Sequence, residues 1–174
     1  CNTTGSNNTA VGGMDANAFP NMFSNTTGSN NTAIGNSTLI CNTTGASNTA
    51  VGRDALNANT TGAENTAVGE NSLANNTTAA SSTAVGRGSM FTNTTGASNT
   101  GIGFDALYAN TTGTCNVAMG RNALAKTTTG SFNTAIGICA GCTNTTGANI
   151  SAIGRNAQPS SATVSDEFTL GDSN

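Results

Sequence analysis

The sequence predicts an all-β fold, a parallel β-solenoid of about ten 17-residue coils. Three observations predict it. A short motif, Ala-(Val/Ile)-Gly, places its glycine at Gly12, Gly35, Gly52, Gly69, Gly86, Gly103, Gly120, Gly137, Gly154 and Gly171, and every step from Gly35 onward is 17 residues. The residue before that glycine is apolar in every copy and mostly β-branched, which suits a strand. The Asn-Thr-Thr-Gly that opens each unit is poor helix material, because Asn and Thr side chains compete for backbone hydrogen bonds. A 17-residue unit is also too short for the two-helix repeat of the common helical solenoids.

The elements follow in chain order. Residues 1–174 form one repeat array. Its first coil covers residues 2–24 and carries a six-residue insertion, placed around Asn17 to Phe23. Regular coils run over 25–160, and a partial coil over 161–174. Each coil is expected to hold two strands of about five residues joined by tight turns, with coils stacked ~4.8 Å apart. Identical side chains then form ladders, and stacked Asn amides hydrogen-bond along the axis.

Two apolar columns are assigned to the structural core. The first is Val11, Ile34, Val51, Val68, Val85, Ile102, Met119, Ile136, Ile153 and Leu170. The second is Leu39, Leu56, Leu73, Met90, Leu107 and Leu124, and it fails at Gly141 and Gln158. Ala precedes the first column in eight of ten copies, marking a place with no room for a larger side chain. Recurrent glycines such as Gly45 and Gly52 suit corners that need positive φ or close backbone approach. A coil this thin buries little apolar surface, while ordering each residue costs roughly 1.5 kcal/mol. Assembly of copies along a shared axis would bury a second apolar face, so a parallel homotrimer is expected, with either column able to line its axis.

Composition removes several function classes. Thr, Asn, Ala and Gly make up 107 of the 174 residues, and charged residues only 7%, against about 25% in ordinary domains. A net charge of −3 with scattered Lys and Arg argues against nucleic acid as a partner. With no His, the commonest general base and metal ligand is missing, and no cofactor is expected. No apolar run approaches the ~20 residues that cross a bilayer, so membrane insertion is not expected. The chain opens at Cys1 inside a motif, which reads as a fragment of something longer.

The stretches Asn48 to Leu56 and Asn65 to Leu73, both Asn-Thr-Ala-Val-Gly-x-x-(Ala/Ser)-Leu, resemble the head repeats of trimeric autotransporter adhesins. They resemble still more the repeats of phage and virus tail-fibre proteins. The segment Ser165 to Asn174 is similar to the lead into an endosialidase-type intramolecular chaperone, which templates trimerisation and is then often cleaved off. The resemblance implies a left-handed parallel β-roll assembled as a trimer, in an extracellular or virion setting. The implied role is a fibre shaft or stalk that spaces and displays parts for host or surface attachment. A bacterial surface adhesin head that binds matrix or glycans is the alternative. A following chaperone domain would favour the first, a coiled coil with a membrane β-barrel the second.

Candidate sites each have a plainer counterpart. Arg53, Arg87, Arg121 and Arg155 share one column with Glu70, Phe104 and Ile138 between them. This is either a stripe for a receptor or polysaccharide, or an exposed charge ladder. The insertion holds Phe19, Pro20 and Phe23, the best local candidates for contacting a partner. Asn25, Asn42, Asn59, Asn76, Asn93, Asn110 and Asn144 each begin an Asn-x-Thr sequon, a glycosylation signal or simply a repeated turn. Cys139 and Cys142 have a C-x-x-C spacing without a second pair or His for zinc, so free thiols or one local disulfide are expected among the five cysteines. Thr pairs such as Thr43-Thr44 and Thr60-Thr61 permit a remote alternative, ice binding. Asp15, Asp54 and Asp105 lie in distant coils, too far apart for a glycosidase pair at ~5–9 Å, and no enzyme activity is expected.

Overall fold

The computed structural model describes residues 2–12 and 20–171. Ten three-residue strands stack in chain order into one parallel sheet: β1 Thr9–Val11, β2 Thr32–Ile34, β3 Thr49–Val51, β4 Thr66–Val68, β5 Thr83–Val85, β6 Thr100–Ile102, β7 Val117–Met119, β8 Thr134–Ile136, β9 Ser151–Ile153 and β10 Phe168–Leu170. Each strand pairs only with its sequence neighbours, and register is unbroken: Val51 faces Val68, which faces Val85. The molecule is a β-solenoid, and no described residue is helical.

One strand per turn replaces the two that the sequence suggested. The physical reason is three left-handed residues in each turn. In the coil of β3 they are Ser47 (φ 58°), Asp54 (φ 57°) and Leu56 (φ 50°), and the same three positions recur along the stack. They interrupt the extended chain, and only three residues per turn pair as a strand. Hydrogen bonds between coils continue through the curled parts regardless: Thr43 N–H donates to Thr60 O at 2.9 Å, and Leu56 N–H to Ser72 O at 3.1 Å.

Two glycine columns make the close stacking possible. Gly52 sits at φ 124°, and a Cβ there would lie 2.7 Å from the backbone of Gly69. Gly45 has no positive φ, but a Cβ would meet Gly62 O at 2.3 Å.

The core corrects half of the sequence assignment. Leu39, Leu56, Leu73, Leu107 and Leu124, with Met90, are fully buried, as expected. The other column is not core. Val11, Ile34, Met119, Ile136, Ile153 and Leu170 are exposed by 39–69%, and Val51, Val68, Val85 and Ile102 are only half-buried. Alternation within a strand explains it, because neighbours point to opposite faces. In Thr-Ala-Val the central Ala points inward, which is why no larger residue fits there, and Thr and Val both point out.

Polar ladders fill the rest of the interior. Asn42 Nδ2 donates to Asn25 Oδ1 at 2.9 Å, and Asn59, Asn76, Asn93 and Asn110 continue the chain, each on the preceding Asn, at 2.7–3.1 Å. In a second ladder Asn48 Nδ2 donates to Gly62 O at 2.8 Å while its backbone N–H donates to Asn31 Oδ1 at 2.9 Å. A buried amide is tolerated when its donors and acceptor are satisfied, and here stacking satisfies them along the ladders, with the Oδ1 of Asn110 as the exception.

Part of the expected insertion belongs to the regular stack. Asn21, Met22 and Ser24 belong to the stack: Met22 N–H donates to Thr38 O, Ser24 N–H to Ile40 O, and Met22 stands one 17-residue step before Leu39 in the buried column. The expected loop therefore does not extend over Asn21 to Ser24. Asn17 to Phe19 lie outside the described residues.

Candidate functional site

Three surfaces remain after the interior is accounted for. The first is the outer sheet face. Its ten-residue apolar column runs the whole length of the sheet, and Thr9, Thr32, Thr49, Thr66, Thr83, Thr100 and Thr134 form a parallel column two residues away. Unbroken apolar stripes of this length are uncommon on a free surface and mark contact faces. The Leu column, buried within the chain, has no surface to offer a partner.

The second surface is the corner after Gly52 and its equivalents. Arg53 forms ion pairs with Glu70 and, at 3.4 Å, with Asp54. Arg87 Nε lies 3.6 Å from Glu70 Oε2 and its guanidinium sits 5.4 Å from the Phe104 ring centre. The hydrogen bond and charge of Arg53, with Arg87 assisting, hold the Glu70 carboxyl below the ordinary glutamate range. So Arg53–Glu70–Arg87 is a charge ladder, and such exposed pairs contribute little each.

The third surface lies beside that corner, and sequence reasoning missed it. The column Ile40, Asn57, Ala74, Phe91, Tyr108, Ala125, Cys142 carries two successive aromatics. Their rings stack with centroids 5.3 Å apart and an interplanar angle of 12°. Clefts of about 240 and 200 Å³ flank Tyr108 on its two sides along the rod, and Asp105 lines both. Burial raises the Asp105 carboxyl above the usual aspartate range, with Arg87 partly opposing it. Gly88 lines the second cleft and lets the Asp105 carboxylate pack against its backbone, since a Cβ there would stand 2.2 Å from Asp105 Oδ1. A signal was present in the sequence: three of the seven aromatic residues fall between Phe91 and Tyr108.

The other candidates resolve as follows. The sequon residues Asn25, Asn42, Asn59, Asn76, Asn93, Asn110 and Asn144 are at most 1% exposed and spend their amide hydrogens on the core ladders, so the folded rod offers none of them to a glycan. Pro20 and Phe23 are exposed, while Phe19 lies outside the described residues. Cys41, Cys115, Cys139 and Cys142 are free thiols. Burial and the neighbouring Cys139 push the Cys142 thiol up, opposite to what a reactive thiolate needs. Asp54 and Asp105 stand three turns apart, about 14 Å by strand spacing. Asp15 lies outside the described residues. Among the described residues no group of three or more His, Cys, Asp or Glu is placed to hold a metal ion. Among the described residues no helix is long and apolar enough to cross a membrane.

Comparison with known proteins found no matching family model, no matching curated protein and no matching solved structure.

Proposed function

We propose that this chain is the shaft of a homotrimeric attachment fibre of the phage or virus tail-fibre kind, a spacer and display scaffold rather than a catalyst. The observation that carries the reading is the exposed Val/Ile column on the outer sheet face. A partner for that face must offer an apolar stripe with the same one-per-coil spacing over about 45 Å. Parallel copies of the same chain do so coil for coil, and a closed cyclic arrangement lets every copy bury its stripe. The bacterial surface adhesin head remains the alternative setting for the same rod.

Sedimentation tests the assembly. The trimer reading expects one species of three chains. Replacing Val68, Val85 and Ile102 together by Asp should give a folded monomer, because these side chains are half-exposed in the single chain but would be buried and unpaired in the trimer. A stable, folded monomer from the unaltered sequence overturns it.

A second reading draws on the same face. Thr hydroxyls and Val methyls standing in two regular columns along one sheet are the chemistry of a surface that orders water, hence an ice-binding rod. The expected Thr43-Thr44 pair is not its basis, since Thr43 Oγ1 is spent on Thr60 O at 3.0 Å. The strand residues are. Thermal hysteresis from a rod that sediments as a monomer would establish this reading in place of the first.

A further inference from the structure

We propose that the cleft on the Tyr108 ring face, walled by Ala125 and Asp105, is a saccharide-binding site, with the adjoining cleft at Gly88 and Phe91 as a second subsite along the rod. The inference rests in part on the attachment reading, because it names the chemical class that such a fibre would hold.

Geometry makes the case. Phe91 covers one face of the Tyr108 ring, and the rings stack along the direction in which coils repeat. The next position in that column is Ala125, whose methyl leaves the place of a third ring empty. That vacancy is the cleft of about 240 Å³. It falls below the ~300 Å³ at which drug-sized pockets begin, and suits one sugar ring. A pyranose has an apolar C–H face that lies flat against an aromatic ring and a rim of hydroxyls that both donate and accept. The cleft supplies matching groups: the Asp105 carboxylate accepts, the Asn122 amide does both, and Lys126 donates. On the Phe91 side of Tyr108, the cleft of about 200 Å³ adds the Asn71 amide to the same Asp105 carboxylate. Tyr108 and Asp105 line both, so two successive units of a chain running parallel to the rod would share them.

Competing ligands fit less well. A phosphate or other anion would meet the Asp105 carboxylate, and Arg87 is already engaged by Glu70 and Phe104. A divalent cation would find a single carboxylate in either cleft.

The chain provides its own reporter, since Tyr108 is the only Tyr and there is no Trp. Titrating the rod with the methyl glycosides of glucose, galactose, mannose and N-acetylglucosamine, and with dextran and galactan oligosaccharides, should change tyrosine fluorescence. Saturation is expected near about 1 mM for the best single sugar, as befits a shallow site. Ala125→Phe places a ring in the vacancy and keeps Tyr108; it should weaken binding more than about tenfold with the circular dichroism unchanged. Tyr108→Ala, read by saturation-transfer NMR, should do the same, whereas Phe132→Ala, in another column, should leave binding as it was. No saturable response to any of these sugars, or equal binding by Ala125→Phe, overturns the site. Loss of binding in Phe132→Ala overturns it as well. Absence of sugar binding on a rod that still sediments as a trimer rejects this site and leaves the shaft reading standing; sugar binding by a monomer does the reverse.

Discussion

Asn110 is where the longest amide ladder breaks. Its Oδ1 is buried without a hydrogen bond, because the residue one turn on is Thr127, whose hydroxyl donates instead to Asn144 O at 3.3 Å. Thr127→Asn restores the missing donor and should stabilise the chain by about 1–3 kcal/mol, the usual cost of a buried orphan acceptor. A thermal melt checks it, and a lower midpoint would show that Asn does not fit there. The ladder itself was legible in the sequence, because Asn recurs at the same place in coil after coil. The sequon was legible too and pointed the wrong way, since the Asn-x-Thr pattern is the same whether the amide faces solvent or core. The Val column misled for a similar reason. Apolar character alone does not say which way a side chain points, and in the single chain this column points outward. Ala50 and its equivalents held the better clue, for only an interior position requires the smallest side chain.

The strand is the unit that fixes register, and each strand is followed by a glycine at which a Cβ would clash with the backbone of a neighbouring coil. Gly69 has φ 132°, and a Cβ would lie 2.6 Å from Gly86 O. Gly69→Ala should therefore cost at least about 1–3 kcal/mol, the range for a strained backbone, before any displacement of the next coil is counted. Denaturant titration reads this, and an unchanged midpoint would mean the stack yields locally. Beside the strands, the Arg53–Glu70–Arg87 ladder adds a small pH-dependent contribution. Glu70 has a depressed carboxyl in the folded chain, so its contribution is present above the unfolded glutamate range and is lost as pH falls through the folded value. Replacing Glu70 by Gln should lower stability slightly at neutral pH and not at all in strong acid, and added salt should shrink the difference. A difference that grew in acid would reverse the assignment. Strand length was the least legible feature at this scale. The left-handed turns at Ser47, Asp54 and Leu56 use residue types that also occur in ordinary extended chain, and Leu gives no warning of positive φ.

For the molecule as a whole, repetition carried the fold and irregularity carried the candidate site. The period of 17, the parallel stacking and the in-register ladders all follow from recurrence, which one sequence displays to itself. The cleft beside Tyr108 exists because that column does not recur, and a consensus averages such differences away. Since each strand pairs only with its neighbours, removal of one whole unit, Asn59 to Asn75, should leave a folded rod one coil shorter. A deletion variant that fails to fold would show that some coil is not interchangeable.

Unvarying neighbour pairing also bears on how fast the chain finds its structure. All-β proteins usually fold slowly because their contacts join distant parts of the chain. Here the paired residues stand one coil apart, 17 positions in a chain of 174, apart from the single longer step at β1–β2. Their relative contact order is therefore about 0.1, the range of small helical bundles. Closing each new coil requires only a short loop, and the loop does not lengthen as the stack grows. Refolding of the single chain should accordingly be as quick as that of a helical protein and nearly independent of the number of coils, with any slow phase dependent on concentration and belonging to chain association. Stopped-flow refolding of rods of different length would show whether a β-sheet of ten strands can be assembled with the kinetics of local structure.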